Sequence, residues 1–249
     1  ERKGVGLEIP TSGGSLRVLL LHPKGELPQV AVVVDDLGAS LSQARSFMDL
    51  GEPLTLSLLP FEAQSRKIAL EAHRRGFEIL VHMPMEPKAY PLRDPGPGAL
   101  LVSMSDGELM EAIDRALDAI PFAIGANNHM GSRFMEDGHK VALLMEALSR
   151  RGMIFLDSLT TPRSQGKREA THRGLRFYRR DVFLDNEGTV RGFLTQWAKL
   201  LHRASSRGWA IGICHPYPSS LKGLSMALVD FRGAELVPLT WLPPETTPH

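Results

Sequence analysis

Short apolar runs alternate along this chain with stretches of mixed polarity. The runs are Val30–Val34, Leu54–Leu59, Phe77–Val81, Phe122–Ala126, Met153–Leu156, Phe177–Leu184 and Trp209–Cys214. Between them, Ile113, Ala116, Leu117 and Ile120 fall at i, i+3, i+4 and i+7, as do Val141, Leu144, Met145 and Leu148. Val190, Phe193, Leu194, Trp197 and Leu201 carry the same spacing a turn further. A stripe of that period gives a helix one apolar face to set against a sheet. The stretches after Leu59 and Asp157 are less clearly patterned. Several strand-like runs are continuous rather than alternating, which marks parallel strands covered on both faces. Seven strand–helix units in series predict an α/β barrel or a doubly wound sheet.

Residues 1–29 follow a different pattern. Val5–Ile9 and Leu16–Leu21, separated by Thr11-Ser12-Gly13-Gly14, predict a β-hairpin extension with a glycine turn. The main domain is expected over residues 30–240, and residues 241–249 are expected to form a disordered tail. Pro84–Gly98 reads as a long loop, a kind of segment that often carries function in compact domains.

Composition narrows the classes. With 43% hydrophobic and 23% charged residues among 249, the chain is ordinary globular material, which excludes intrinsic disorder. Lys and Arg number 29 against 28 Asp and Glu, so there is no overall electrostatic case for nucleic acid. No apolar run approaches the ~20 residues of an integral membrane helix. The single cysteine, Cys214, rules out a disulfide framework and a cysteine-rich zinc site, and it reads as packing. No glycine-rich phosphate loop follows any strand, which argues against nucleotide binding. The first residue is Glu1 rather than Met, which is expected of a chain whose leader was removed or trimmed; composition leaves the compartment open.

The chemistry sits where the predicted strands end. The first runs into Asp35-Asp36-Leu37-Gly38 and the third into His82, followed by Met83-Pro84-Met85-Glu86-Pro87. The fourth ends in Asn127-Asn128-His129, the fifth in Asp157-Ser158 and the last in His215-Pro216. The sixth segment carries Arg180-Asp181 and then Asp185-Asn186. In α/β sheets and barrels, the C-terminal ends of the strands are the face where chemistry is done. Each element has a simpler explanation: the aspartates as helix caps, the asparagines as turn residues, a lone histidine as a structural one. Capping does not call for histidine at three strand ends, however, and converging His and Asp side chains suit a divalent metal. The basic run Lys167–Arg180 reads as a solvated face.

In this order, these motifs resemble the divergent polysaccharide deacetylases of bacterial envelopes, over about residues 28–240. That family is similar in turn to the NodB-type carbohydrate esterases. The resemblance implies a distorted (β/α)7 barrel and metal-dependent removal of N- or O-acetyl groups from sugars. It implies Asp35 as the base and Asp36 as a metal ligand, His82 as a second ligand and His215 as the acid. The NodB-type motif has another histidine four residues after the first, and this chain has Glu86 there. The third ligand is then Glu86 or His129; His129 is favoured, since Pro84 keeps His82 and Glu86 off a common helix face. The arginine-bearing motif of that family is replaced here by Asn127-Asn128-His129. Asp157 stands where the family carries an acidic residue that orients the catalytic histidine or base. Asp157 or Asp181 is expected to orient His215 or to pair with Arg180, with Asn128, Glu86, Arg180 and Asp181 in supporting or substrate-binding positions.

The expectation is therefore a hydrolase of acetylated envelope polysaccharide holding one divalent ion, with zinc best suited to a His2Asp set. A periplasmic or extracytoplasmic location follows from the resemblance alone. The competing reading, which the missing second histidine supports, is a non-catalytic metal- or glycan-binding envelope protein.

Overall fold

The computed structural model describes residues 3–11, 14–22, 27–229 and 233–245. In chain order the elements are β1 (Lys3–Thr11), β2 (Gly14–His22), β3 (Gln29–Leu37), α1 (Leu41–Met48), β4 (Thr55–Leu58), α2 (Ser65–Arg74), β5 (Glu78–Met85) and α3 (Asp106–Ala119). They continue with β6 (Gly125–Met130), α4 (Gly138–Arg150), β7 (Ile154–Asp157), α5 (Gly166–His172), β8 (Phe177–Arg179), β9 (Val182–Phe183), α6 (Val190–Arg207), β10 (Trp209–Cys214), α7 (Pro218–Leu228) and β11 (Glu235–Leu236).

The chain divides into two compact units. One holds residues up to 34, 45–55 and 180–242; the other holds 35–44, 56–179 and the segment from 243 onward. In the first unit, β10 lies parallel to β3 on one side and to β9 on the other, and β11 also runs parallel to β3. Val30–Val34 of β3 are completely buried, as continuous apolar runs in parallel sheets require. Helix α6 starts where the Thr189 hydroxyl accepts from the Gly192 N–H and stops at Gly208, whose φ of 92° few other residues adopt. Its buried face is Phe193, Leu194, Trp197, Leu200 and Leu201. β1 and β2 pair antiparallel from Lys3 opposite His22 to Thr11 opposite Gly14. The predicted Ser12-Gly13 tip lies outside the described residues.

In the second unit, β5, β6, β7 and β8 pair in parallel, each with the next. Helix α3 opens with a reciprocal cap between Ser105 and Glu108, and α4 with Asp137 accepting from the His139 and Lys140 N–H groups. The predicted stripes are buried: Ile113, Ala116 and Leu117 on α3; Val141, Leu144, Met145 and Leu148 on α4. Gly125 opens β6 for a steric reason, since a Cβ there would collide with the Ile154 carbonyl oxygen of β7. That close approach belongs to the register in which Gly125 lies opposite Ile154, and Asn127, Asn128 and His129 follow within β6, opposite His82, Met83 and Pro84 of β5.

Two expectations are corrected. The run Phe177–Leu184 is two strands, not one. β8 pairs with β7 and β9 with β10, and between them the Asp181 carboxylate accepts from the Arg207 guanidinium and the Ile211 N–H. The tail is placed as far as Glu245, whose N–H donates to the Phe177 carbonyl and whose carboxylate meets Arg179 and Lys167. Residues 246–249 lie outside the described residues. The basic run is the solvated face expected: Lys167, Arg168, His172, Arg176 and Arg179 are exposed, with Glu169 pairing with Arg168 and Arg173 and Glu245 with Lys167 and Arg179. Among the described residues no helix is long and apolar enough to cross a membrane.

Candidate metal centre

Two adjacent aspartates on a regular strand would point to opposite faces. The backbone prevents this here, because Asp36 has a φ of 55°, in the left-handed region that costs a non-glycine residue energy. The break lets both carboxylates reach one imidazole. His82 Nε2 lies 2.9 Å from Asp36 Oδ1 and 3.8 Å from Asp35 Oδ2. Left-handed residues also follow the site residues at the ends of β6 and β7: Met130 (φ 53°) after His129, and Leu159 (φ 51°) after Asp157-Ser158. Strain of this kind clusters where a chain must aim functional groups.

Three donor atoms converge in the second unit. His129 Nδ1 is 2.8 Å from Asp36 Oδ1 and 3.1 Å from His82 Nε2, and the two rings meet edge-on at 72°. Among the described residues this trio forms the one cluster with metal-ligand spacing. Asp36 Oδ1 is shut off from solvent and accepts no well-directed hydrogen bond, despite two nitrogens within 2.9 Å. The three atoms lie close enough together to share one ion, and the two imidazole nitrogens also meet each other at hydrogen-bond distance. Ligands of a first-row ion at ~2.0–2.1 Å bond lengths stand about 2.9 Å apart at right angles and about 3.3 Å apart in a tetrahedron. One carboxylate and two imidazoles at these separations fit such an ion.

The electrostatics describe the same trio with protons. Burial alone would raise the Asp36 carboxyl; the His129 and His82 imidazoles outweigh it and hold it far below the usual carboxylate range. Burial alone would lower His82; the charge of Asp35 and the contact with Asp36 outweigh it and raise the imidazole to about 9.

Around the donors lies a buried polar network. The Asn127 Oδ1 accepts from the Ser57 hydroxyl (2.6 Å) and from His82 Nδ1 (2.9 Å). The Asn127 amide donates to Asp35 Oδ1 (2.7 Å) and to the Ser158 oxygen (3.3 Å). Asn128 ties the ends of β6 and β7 together, accepting from the Ser158 N–H and donating to the Met130 carbonyl and Thr160.

Glu86 is elsewhere. Its carboxylate accepts from the Val102 N–H and pairs with Arg133, which pins the start of the loop after β5. The backbone there is strand rather than helix as far as Met85. Asp157 turns back into its own loop, where it accepts from the Leu159 N–H and the Ser164 hydroxyl.

In the first unit, His215 has a carboxylate partner that sequence reasoning assigned elsewhere. Asp185 accepts from His215 Nδ1 (3.0 Å), from the His215 N–H and from the Ser220 hydroxyl (2.8 Å). Asp185 thus occupies the orienting position expected of Asp157 or Asp181, while Asp181 holds Arg207 and Arg180 lies over the Phe183 ring at 3.6 Å. The His215 ring sits between Phe183 and Tyr217, on a cleft of about 510 Å³ also lined by Asn186, Glu187 and Gly188. The missed residues are Asp185 and Asn127. Asn127 lies within β6 and Asp185 just past β9, and both belong to the polar motifs that close the apolar runs, which is the signal that could have found them.

Fold and site together define a parallel α/β protein with a three-donor centre at the ends of its strands. The chain belongs to the divergent polysaccharide deacetylase family, whose family model matches residues 32–242. It is 32% identical over 201 residues to an uncharacterized protein of Haemophilus influenzae, covering 80% of this chain and 71% of that one. It is 30% identical over 203 residues to the uncharacterized protein YibQ of Escherichia coli, covering 81% of this chain and 63% of that one. Among solved structures, an uncharacterized protein of Agrobacterium tumefaciens C58 matches with a TM-score of 0.81 at 27% identity, covering 86% of this chain and 88% of that one. A structure described as T48 deacetylase with substrate matches with a TM-score of 0.54 at 14% identity, over 86% and 89% of the two chains. The fold class is that of the NodB-like (β/α) barrels.

Proposed function

We propose that this protein is a metal-dependent hydrolase that removes acetyl groups from an envelope polysaccharide. The observation that carries the reading is the convergence of Asp36 Oδ1, His82 Nε2 and His129 Nδ1 beside a second buried carboxylate, Asp35. Membership of the deacetylase family supplies the substrate class. Asp36, His82 and His129 would hold one divalent ion, zinc being best suited to the donor set. Such an ion, when bound, polarises an acyl carbonyl and makes water more acidic.

The protein's own groups do the rest. Asp35 is 1% exposed and held by Asn127, so its carboxylate is aimed and dry, ready to take a proton from water. His215 is assigned the proton that the leaving amine or alcohol requires, an assignment resting on the family's last motif. Asp185 fixes the proton of His215 on Nδ1, so that Nε2 is the nitrogen for transfer. A periplasmic or extracytoplasmic location belongs to the same proposal.

Acetate release tests the reading. Metal-loaded protein should liberate acetate from N-acetylated glucosamine oligomers or O-acetylated glycans, lose that activity on chelation and regain it with zinc. A protein that binds glycan and metal but releases no acetate would be the non-catalytic envelope protein instead.

Metal affinity should also depend on pH with a defined sign. The His82 imidazole is raised from 6.5 to about 9, so the proton's contribution to stability is complete below 6.5 and is lost as pH rises through about 9. A cation takes that proton's place. Zinc affinity, read by competition with a chromophoric chelator, should climb about tenfold per pH unit towards 9 and then level off. A flat profile from pH 6.5 to 9 would contradict the assignment of His82 as a ligand.

A further inference from the structure

We infer that Asn127 is a positioning residue that sets the metal ligand His82 and the base Asp35 through a single side-chain amide. This inference deepens the hydrolase reading and rests on it for the role of Asp35; the part concerning His82 stands on the donor geometry alone.

Asn127 is completely buried in β6, and every polar atom of its side chain is engaged. Its orientation is settled by its partners. The Asn127 amide nitrogen is the atom that donates to Asp35 Oδ1, at 2.7 Å. The other atom is then the amide oxygen, which can only accept, so His82 Nδ1 at 2.9 Å must carry a proton. The Ser57 hydroxyl, at 2.6 Å from the same oxygen, keeps the amide from flipping. Once Nδ1 carries the proton, the lone pair of a neutral His82 is on Nε2, the atom that faces Asp36 and His129.

One planar group therefore sets both the tautomer of a ligand and the direction of a carboxylate 92 residues earlier in the chain. It does so without adding charge. A cationic side chain in this place would pull on Asp35 and repel the metal, whereas an amide orients both groups and leaves their charges to the chemistry.

The test uses cobalt-reconstituted protein, because the visible absorption of cobalt reports ligand identity and geometry. Asn127→Leu keeps the number and branching of the side-chain heavy atoms and removes all four hydrogen bonds. Cobalt affinity should fall 10–100-fold and the visible band should shift, as expected when an outer partner of a ligating histidine is lost. With cobalt saturating, kcat for acetate release should fall with little change in KM. Should Asn127→Leu not fold, Ser57→Ala leaves the amide in place but unclamped, and should move affinity and spectrum in the same direction by less. A folded Asn127→Leu protein with wild-type cobalt affinity and spectrum would overturn the inference, whatever its thermal stability. If wild type releases no acetate but affinity and spectrum still respond, the hydrolase reading fails while the positioning of His82 stands.

Discussion

Asp36→Asn is expected to fold as wild type does and to bind no divalent metal at micromolar concentration. The structural argument has two parts. Asp36 supplies the one anionic donor of the trio, and its Oδ1 is buried with no other well-directed partner. A neutral amide there offers a much poorer ligand. Structural zinc sites are worth about 10–16 kcal/mol over four ligands, so removing one costs roughly 3–4 kcal/mol, or about 10²–10³ in affinity. The second part concerns the backbone. Asn tolerates a φ of 55° as readily as Asp does, so the substitution takes away charge and leaves the turn intact. Asp36→Val provides the contrast, because a β-branched residue resists that conformation and should lower the melting temperature as well as abolish binding. Calorimetric zinc titration and thermal melts of both variants check this. An Asp36→Asn protein that binds zinc as wild type does would contradict the donor assignment.

Asp35→Asn should do the reverse, keeping the metal and losing turnover. Asp35 Oδ2 is 3.8 Å from His82 Nε2, while Asp36 Oδ1 is 2.9 Å away and is also the oxygen that meets His129. The two neighbouring carboxylates therefore divide the work, one nearest the imidazole nitrogens and one held back by the Asn127 amide. Removing a positioned proton acceptor typically costs 10²–10⁴ in rate. Acetate release by metal-saturated Asp35→Asn is expected to fall within that range, with zinc affinity within about tenfold of wild type. Full activity in this variant would remove Asp35 from the proposed chemistry, and loss of metal would make it a ligand instead.

The sequence was most legible where one physical rule decides the outcome. The run Trp209–Cys214 is β10 residue for residue, since a buried parallel strand starting just after Gly208 leaves little freedom. The stripes on α3 and α4 are buried as their spacing implies. Legibility failed where a polar pair interrupts an apolar run. Arg180-Asp181 sits inside what looks like one strand, and only the tertiary partners of Asp181 show that β8 and β9 pair with different neighbours. Strand-end position alone also does not say where a side chain points. Asp157 and Asp185 both close apolar runs. A left-handed Leu159 leaves Asp157 serving its own loop, whereas Asp185 receives His215. Glu86 differs from the histidine of the NodB-type motif, and its carboxylate holds the Val102 and Arg133 segments rather than the donor trio.

The most direct measurement is an anomalous difference map from crystals grown with zinc, collected on both sides of the zinc absorption edge. The account predicts one strong peak per chain within about 2.0–2.2 Å of Asp36 Oδ1, His82 Nε2 and His129 Nδ1. A map with no peak among these three atoms, or with the ion held by Glu86 or another group, would contradict it.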